Sequence, residues 1–439
     1  MEVLPVEEPD PVEDVYTSIS LSIATGDPEE ALATFLRAEL DDPDSPDTTV
    51  LLANLYISAG DPAQAEELLR QVLVEHPDHQ GALLTLALLA GARDDAEEER
   101  ELLQRLLAVN PSQPQANAAL GELQLRQRQF SAAEDAFRTA LQEDPENLVA
   151  LVGMGNVKLR TSQPEVAEEF LSLAIDAAPE YSFAWADRSR ARALQQNFRE
   201  AESDLEQAIQ LDPDFSWHFF DRGRVRLERN DPAGALEDFN EALIRDSRNF
   251  MGYVLRGRTH DLLQERDAAI ADYRTALELR PDYLPARSPL AVLLFEAEQF
   301  QEAATQFDRA FRDIHPNDPK DHSLILLSSL SRSFAGDPRG GRQYLERMAT
   351  ELPRTGLVAD MARYMANPGS DQYIFRVVTQ EQDRFLRTRM KFFLAAQYEL
   401  LGRSGSARAL YLEVQDENMR GFVETRLARA RHAFLVGNL

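Results

Sequence analysis

The chain has 439 residues, and its 46 Lys and Arg against 75 Asp and Glu give a formal net charge of −29. Such a field repels phosphate backbones and anionic membrane surfaces, which argues against a nucleic-acid-binding protein. There is no cysteine, so disulfides, Cys-ligated metal centres and thiol nucleophiles are excluded. The longest apolar run, about Ala82–Ala90, is far shorter than the ~18 residues of a membrane-spanning helix.

The N-terminal residues are acidic and contain several prolines, which predicts a disordered, solubilising tail over residues 1–11. The first 47 residues hold 14 acidic residues and one arginine, whereas Asp383–His432 carry ten Arg or Lys against six Asp or Glu. A second interpretation of this contrast is that the acidic tail docks on the C-terminal end of its own chain or on a neighbouring copy.

A period of 34 residues follows the tail and runs from about Pro11 to Asn317. Small residues, large apolar residues and prolines each recur at this spacing. The prolines are Pro43, Pro77, Pro111, Pro145, Pro179, Pro213 and Pro281. The pattern predicts two helices per repeat, with small residues where the helices cross, a large residue filling the gap beside them and a proline closing the repeat.

The series of small, aromatic and proline positions resembles the tetratricopeptide repeat (TPR) family, for which Asp221–Pro232 followed by Ala235, Phe239 and Ala242 is a good example. The resemblance implies an all-α fold, a right-handed superhelical solenoid of about eleven helix-turn-helix units with a C-terminal capping helix. The chain would then comprise the tail (1–11), nine contiguous TPR units (12–317), irregular TPR-like helices (318–387), one further TPR unit (388–421) and the capping helix (422–439).

Two details are expected within the irregular segment. Gly340 and Gly341 replace the usual small alanine, so the second helix of the tenth unit should start poorly. Thr355–Asn367 has the pattern of an apolar helix, which Pro368 and Gly369 would end.

The C-terminal quarter is similar to the end of NlpI-like bacterial lipoproteins, in Phe392–Ala395, Tyr398–Gly402, Ala407–Tyr411 and Gly421–Ala428. This resemblance implies an envelope scaffold, that is, a periplasmic lipoprotein anchored to the outer membrane through a lipidated cysteine. The chain has no cysteine, so membrane contact is expected only through a lipid anchor that is absent from this chain. A cytoplasmic location is the alternative.

Motifs of catalysis are missing from the sequence. It contains no phosphate-binding glycine loop, no His-Glu-x-x-His and no nucleophile elbow. His76 and His79 flank Pro77 at a turn and are interpreted as solvated side chains rather than metal ligands. We therefore expect no enzyme activity, no catalytic residues, no metal and no cofactor.

Arginines recur at two slots in the sixth, seventh and eighth repeats. In the first slot each arginine stands 16 residues before an aspartate, whereas the fourth and fifth repeats have uncharged residues at both positions. Charge is present in both helices or in neither, which predicts ion pairs inside each repeat, of modest value if they are exposed. The pairs are Arg188 with Asp204, Arg222 with Asp238 and Arg256 with Asp272.

The second slot lies, in the TPR family, on the face of the first helix that lines the concave groove. It holds Arg190, Arg224 and Arg258, with Asn156 at the same slot in the fifth repeat. Neighbouring groove-facing slots hold Phe183, Trp217, Phe220 and Met251. Guanidinium groups pair with carboxylates and stack on rings, so these eight residues are the predicted contact site for an acidic peptide or protein. A solvated column, or one that bridges repeats, is the alternative.

Together these patterns predict a non-catalytic scaffold or adaptor in the bacterial cell envelope, with a protein or peptide partner and no nucleic acid. The alternative is a structural or assembly subunit that self-associates, as a homodimer, through its C-terminal helices. Leu357–Phe375 and Phe422–Phe434 would then be the contact surfaces.

Overall fold

A computed structural model describes residues 11–38, 45–314, 321–369, 371–417, 419 and 421–437. The described residues form 25 α-helices and contain no strand, which confirms the predicted all-α class. The predicted tail lies outside the described residues except for Pro11, the first residue of α1. The chain divides into two compact units, an N-terminal unit (Met1–Pro213) and a C-terminal unit (Asp214–Leu439).

The N-terminal unit contains six consecutive helix pairs. Its helices are α1 (Pro11–Ala24), α2 (Pro28–Arg37), α3 (Pro46–Ser58), α4 (Pro62–Glu75), α5 (Gln80–Ala92), α6 (Ala96–Val109), α7 (Pro114–Arg126), α8 (Phe130–Glu143), α9 (Leu148–Arg160), α10 (Pro164–Ala177), α11 (Ser182–Leu194) and α12 (Phe198–Leu211).

The C-terminal unit begins with three helix pairs of the same kind and continues with less regular helices. Its helices are α13 (Ser216–Glu228), α14 (Pro232–Arg245), α15 (Phe250–Leu262), α16 (Arg266–Leu279), α17 (Leu284–Glu296), α18 (Phe300–Arg312), α19 (Ser323–Phe334), α20 (Pro338–Arg347), α21 (Leu357–Ala366), α22 (Asp371–Gln380), α23 (Arg384–Leu400), α24 (Ser404–Asp416) and α25 (Val423–Gly437). The helix α23 starts four residues before the TPR unit that was predicted at 388–421.

The turn between the two helices of a repeat has the same backbone in every regular repeat. One residue adopts a left-handed conformation, with φ of +85° at Gly60 and +60° at Arg128. The next residue caps the second helix where it is an aspartate, as when Asp61 Oδ1 accepts a hydrogen bond from the Gln64 backbone N–H at 3.1 Å. Glycine suits the left-handed position, yet the fold imposes that position on other residues at a cost of about 1 kcal/mol each.

Small residues allow the helices of a repeat to approach one another closely. The Phe137 ring on α8 is fully buried between α7 and α9. A Cβ atom would lie 2.5 Å from this ring if built at Gly121 and 2.2 Å from it if built at Gly153. These glycines are therefore required by packing rather than by backbone conformation.

The expectation that α20 starts poorly is wrong. Asp337 Oδ1 accepts a hydrogen bond from the Gly340 N–H at 2.7 Å, so the helix begins with a regular cap at Pro338. Gly341 is needed because a Cβ there would lie 2.5 Å from Ser333 Oγ and 2.8 Å from the Ser329 carbonyl oxygen on α19. The glycine pair thus replaces alanine for a steric reason.

Helix α25 does more than cover α24. It also packs on α23 and reaches back to α17. Arg426 on α25 donates hydrogen bonds to Asp261 on α15 and to Glu296 on α17, at 2.6–2.8 Å. Helix α25 therefore forms hydrogen bonds with the eighth and ninth repeats, which lie in the same unit.

Candidate functional site

The first arginine slot forms the predicted ion pairs. In the N-terminal unit, Arg188 donates to both oxygens of Asp204 at 2.8 and 3.0 Å. In the C-terminal unit, Arg222 pairs with Asp238 in the same way, and so does Arg256 with Asp272. All three aspartates are buried, so the condition of exposure under which these pairs would be of modest value is not met.

Each of these aspartates has a second basic side chain beside it. Arg192 Nη1 donates to Asp204 at 2.9 Å, Arg226 Nη1 lies 3.0 Å from Asp238, and His260 Nε2 lies 3.7 Å from Asp272. Burial raises the pKa of Asp238, and its hydrogen bonds from Arg222 act in the opposite direction. The three aspartates and the arginines of the first slot are paired with one another inside their repeats. We therefore assign them to the packing of the two helices rather than to contact with a partner.

In the N-terminal unit, the charge of Arg190 is already compensated. Arg190 Nη1 donates to Asp187 Oδ1 at 2.8 Å. Asn156 Nδ2 donates to the other oxygen of the same carboxylate at 2.9 Å. Phe183 remains 40% exposed, with its ring 5.5 Å from that of Tyr181. This part of the predicted site therefore offers an aromatic surface and a neutralised arginine.

In the C-terminal unit, Trp217 is 45% exposed, whereas Phe220 is only 1% exposed. The Phe220 ring meets the Trp217 ring edge-on at 5.5 Å and the buried Phe239 ring at 6.3 Å. Phe220 therefore lies in the core and packs against the inner side of the Trp217 ring. A buried side chain cannot contact a partner, so Phe220 is removed from the candidate contact surface. The helical spacing places both residues on the same face of α13. It does not predict their exposure, because exposure depends on which of the two side chains the neighbouring helices cover.

The two arginines of this unit differ in their surroundings. Arg224 Nη1 lies 3.3 Å from Asp221 Oδ1, three residues earlier on α13. The equivalent of Asp221 in the next repeat is Leu255, and no described carboxylate forms an ion pair with Arg258. Arg258 is exposed and is the strongest carboxylate-binding candidate of the predicted column.

Met251 lies two helical turns before Arg258 on the same face of α15, about 10 Å away along the axis. It is half-buried, and the Tyr283 hydroxyl points to its sulfur at 3.7 Å. The surface formed by Trp217, Met251, Arg224 and Arg258 is named the Trp–Arg face below. It combines apolar groups at the N-terminal ends of α13 and α15 with cations near their C-terminal ends.

Sequence reasoning missed the carboxylates that lie beside two of the predicted arginines, one in each unit. Asp187 and Asp221 stand three residues before their arginines, a spacing that brings side chains together on a helix and could have been recognised. The contact of Arg426 with Asp261, three residues after Arg258, had no sequence signal because the two residues are 165 positions apart.

No set of three or more His, Asp or Glu side chains is placed to hold a metal ion in the part of the chain that the structure describes. None of the described helices is both long and apolar enough to cross a membrane.

Two families, both described as tetratricopeptide repeat, match the chain. One matches residues 22–89, 57–123 and 124–191, and the other matches residues 186–250 and 254–319. The chain therefore belongs to the tetratricopeptide repeat family. Proteins of this family generally mediate protein–protein interactions and are generally non-catalytic scaffolds.

Several solved TPR structures are similar to parts of this chain. A TPR protein from Parabacteroides merdae is 17% identical over 57% of this chain and 98% of its own, with a TM-score of 0.45. PilF from Pseudomonas aeruginosa is 20% identical over 46% and 92%, with a TM-score of 0.42. YrrB, described as a TPR protein with an unusual peptide-binding site, is 19% identical over 44% and 96%, with a TM-score of 0.36. The comparison with curated proteins finds no match.

The likeness to these structures concerns the fold alone. The resemblance of the C-terminal quarter to NlpI-like lipoproteins is not shown by the comparisons and stays a prediction.

Proposed function

We propose that the chain is a non-catalytic scaffold that holds a peptide or partner protein on the Trp–Arg face. The observation that carries this proposal is the exposed Trp217 ring, held in place by the buried Phe220. The sixth and eighth repeats have Phe183 and Met251 at the same slot. Large, rigidly supported apolar groups that stay exposed are typical of the anchor residues of protein interfaces.

Arg258 and Arg224 define the chemistry of the partner. A carboxylate near an apolar side chain would pair with Arg258, which forms no ion pair with a described carboxylate, and more weakly with Arg224, which Asp221 already accompanies. Arg190 contributes little to this preference because Asp187 neutralises it. The acidic character of the partner thus rests on one or two arginines rather than on the full column.

A peptide selected from a displayed library against the whole chain tests this proposal. We expect Trp217→Ala to weaken binding of the selected peptide at least about tenfold in calorimetry, since loss of a central aromatic anchor has effects of that size. The control is Ile244→Ala, which removes an exposed apolar side chain from α14, outside the face. Equal affinity of the Trp217→Ala variant and the unchanged chain would overturn the assignment.

Tryptophan fluorescence locates the bound peptide. The chain has two tryptophans, so Trp185→Phe leaves Trp217 as the single reporter. Binding on the Trp–Arg face should shift its emission to shorter wavelength and protect it from acrylamide quenching. An unchanged spectrum at saturating peptide would place the contact elsewhere.

Charge-reversal variants measure how much each arginine contributes to binding of an acidic peptide. Replacing Arg190, Arg224 and Arg258 together by Glu should abolish binding of an acidic peptide, and Arg258→Glu alone should account for most of the loss. Arg248→Glu, at an exposed turn, is the matched control for net charge. Unchanged affinity after the triple replacement would remove the groove assignment.

A second function, self-association through the C-terminal helices, is favoured by exposed aromatic residues there. Tyr373 and Phe375 on α22 and Phe385 on α23 are 47%, 45% and 65% exposed. Light scattering over a range of concentrations tests it: a dimer that Phe385→Glu weakens would support this function, and a concentration-independent monomer would reject it.

We also propose, from the C-terminal resemblance alone, that the protein acts in the bacterial envelope, at the periplasmic side of the outer membrane. Fractionation of cells that express the native gene tests this location, and recovery only in the cytosol would reject it.

A further inference from the structure

A cavity of about 320 Å³ lies between α20 and α21, outside the residues that match the TPR families. The cavity lies in the segment where the 34-residue spacing is no longer kept. Helix α20 has 10 residues, whereas α18, the preceding second helix, has 13, and the following segment reaches α21 through Gly356 with φ of +94°. The shortened helix leaves a gap that the next helix does not fill.

The walls of this α20–α21 cavity are apolar. Leu345 on α20 and Ala359 and Ala362 on α21 form a buried floor, while Leu352 and Ala366 are half-buried at its sides. None of these side chains offers a hydrogen bond, so the cavity is suited to a hydrocarbon or aromatic group rather than to a polar one.

The rim of the cavity is charged. It carries Arg354, Arg363 and Glu346, all exposed. Arg363 is paired with Asp360, whereas Arg354 has no ion pair to any carboxylate that the structure describes. From the first residue of α20 to the last of α21, the sequence holds five arginines against three acidic residues, in a chain whose net charge is −29. The cavity therefore lies in a locally basic surface of an acidic protein.

We propose that the α20–α21 cavity binds one apolar side chain of an acidic segment of a partner protein, with Arg354 pairing a carboxylate beside that side chain. The apolar floor takes the side chain, and the unbalanced charge of Arg354 selects the neighbouring acidic group. The cavity is open, since its rim residues are exposed, and a free small molecule would remain largely uncovered there. A side chain carried by a larger partner fits this geometry, because the rest of the partner covers the rim.

The test uses the full chain with labelled alanine methyl groups, because four alanines line the cavity: Ala349, Ala359, Ala362 and Ala366. The probes are three synthetic peptides, Ac-EEFEE-NH2, Ac-QQFQQ-NH2 and Ac-KKFKK-NH2, titrated at low salt and followed by methyl NMR. We expect the acidic peptide to shift these four methyl signals and to bind up to about fivefold more tightly than the neutral one, with the difference lost at high salt. Absence of these shifts, or equal or tighter binding of the basic peptide, would overturn the proposal.

Two variants distinguish the contribution of the apolar floor to peptide binding from that of the charged rim. Ala349→Trp starts from an exposed position and covers the cavity, so it should weaken all binding more than about tenfold. Ala335→Trp, at an exposed alanine after α19, is its control. Arg354→Gln should reduce binding of the acidic peptide to that of the neutral one and leave the neutral one unchanged. Full binding by Ala349→Trp, or retained charge preference in Arg354→Gln, would contradict the proposal.

This test is independent of the scaffold function on the Trp–Arg face. Trp217→Ala changes α13 and should leave the methyl shifts at the α20–α21 cavity as they are. If the cavity proposal were contradicted, the proposal for the Trp–Arg face would therefore still stand. In the same way, loss of the Trp–Arg proposal would not affect the cavity proposal.

Discussion

The regular repeats and the C-terminal helices of this protein are stabilised by contacts of different range. Inside a repeat, Arg222 reaches Asp238 over 16 residues, and the same contact recurs in three repeats. At the C-terminus, Arg426 on α25 reaches Asp261 over 165 residues and Glu296 over 130, and Arg431 on the same helix reaches Glu298 over 133. A periodic sequence encodes contacts between neighbours, whereas the end of the array depends on particular long-range contacts.

Removal of one partner from a buried ion pair should have the largest effect. Asp238→Ala leaves the half-buried Arg222 and Arg226 without the buried carboxylate that both contact, and we expect a loss of about 3–5 kcal/mol in the free energy of unfolding, measured by urea denaturation. Hydrogen exchange should show the damage concentrated in α13 and α14.

The fifth repeat supplies the control for this substitution, since it holds Met154 and Phe170 at the same two slots. The double replacement Arg222→Met with Asp238→Phe should recover part of the loss, because an apolar pair needs no charge compensation. The recovery is incomplete because Arg226 still loses its contact with Asp238. If the double variant were as unstable as Asp238→Ala, the ion pair would not be interchangeable with apolar packing.

Loss of the long-range contact should come next. Arg426→Ala removes the hydrogen bonds to the half-buried Glu296, which keeps only a longer contact with Arg266 at 3.8 Å, and we expect a destabilisation of about 1–3 kcal/mol. Hydrogen exchange should increase in α25 and also in α15 and α17. Arg429→Ala, at an exposed position of α25, is the control. Protection lost in α25 alone would mean that the contact does not stabilise the repeats.

A methyl group placed where two helices approach closely should have an effect of similar size. Gly153→Ala places a Cβ against the buried Phe137 ring, and we expect a loss of about 1–3 kcal/mol with faster exchange in α8 and α9. Gly405→Ala in α24 meets no atom within 4 Å and should instead stabilise the chain by up to about 1 kcal/mol. Similar effects of the two substitutions would show that helix propensity, not packing, decides at Gly153.

The smallest effect concerns pH in the C-terminal helices. Hydrogen bonds from Tyr364 and Arg403 lower the pKa of Asp371 below its ordinary value of 3.8. The ionised carboxylate therefore stabilises the fold above pH 3.8, and this contribution is lost as the pH falls through the lower pKa of the folded state.

Asp371→Asn measures that contribution. The unchanged chain should exceed the variant in stability by no more than about 1 kcal/mol near neutral pH, because the pair is partly exposed. The difference should shrink at acidic pH in parallel thermal unfolding curves. A difference that grew as the pH fell would contradict the sign of the pKa shift.

The regular repeats could be predicted from the sequence because their contacts repeat with the period. Arg188 and Asp204 change together from one repeat to the next, and this covariation inside one chain was enough to pair them. Their burial could not be predicted, because it depends on the helices packed around them. For the same reason Phe220 and Trp217 had the same periodic signal but have opposite exposures.

The candidate site could be predicted only as a set of positions. The sequence predicted the slot that Arg190, Arg224 and Arg258 share. It did not predict that a carboxylate accompanies the first two, Asp187 and Asp221 respectively, whereas Leu255 stands at the equivalent position beside Arg258. These differences arise from neighbours on the same helix, so they were within reach of sequence reasoning. The α20–α21 cavity had no such signal, since it results from how a shortened helix meets the next one.

The sequence by itself determined the helix class, the 34-residue repeat and the positions of the small and large packing residues. It could do so because each of these depends on residues close together in the chain. Only the tertiary structure decided how deeply the Arg–Asp pairs are buried, which aromatic ring stays exposed and how α25 reaches back to α15 and α17. Those features depend on contacts between helices that are distant in sequence, where no period constrains the residues.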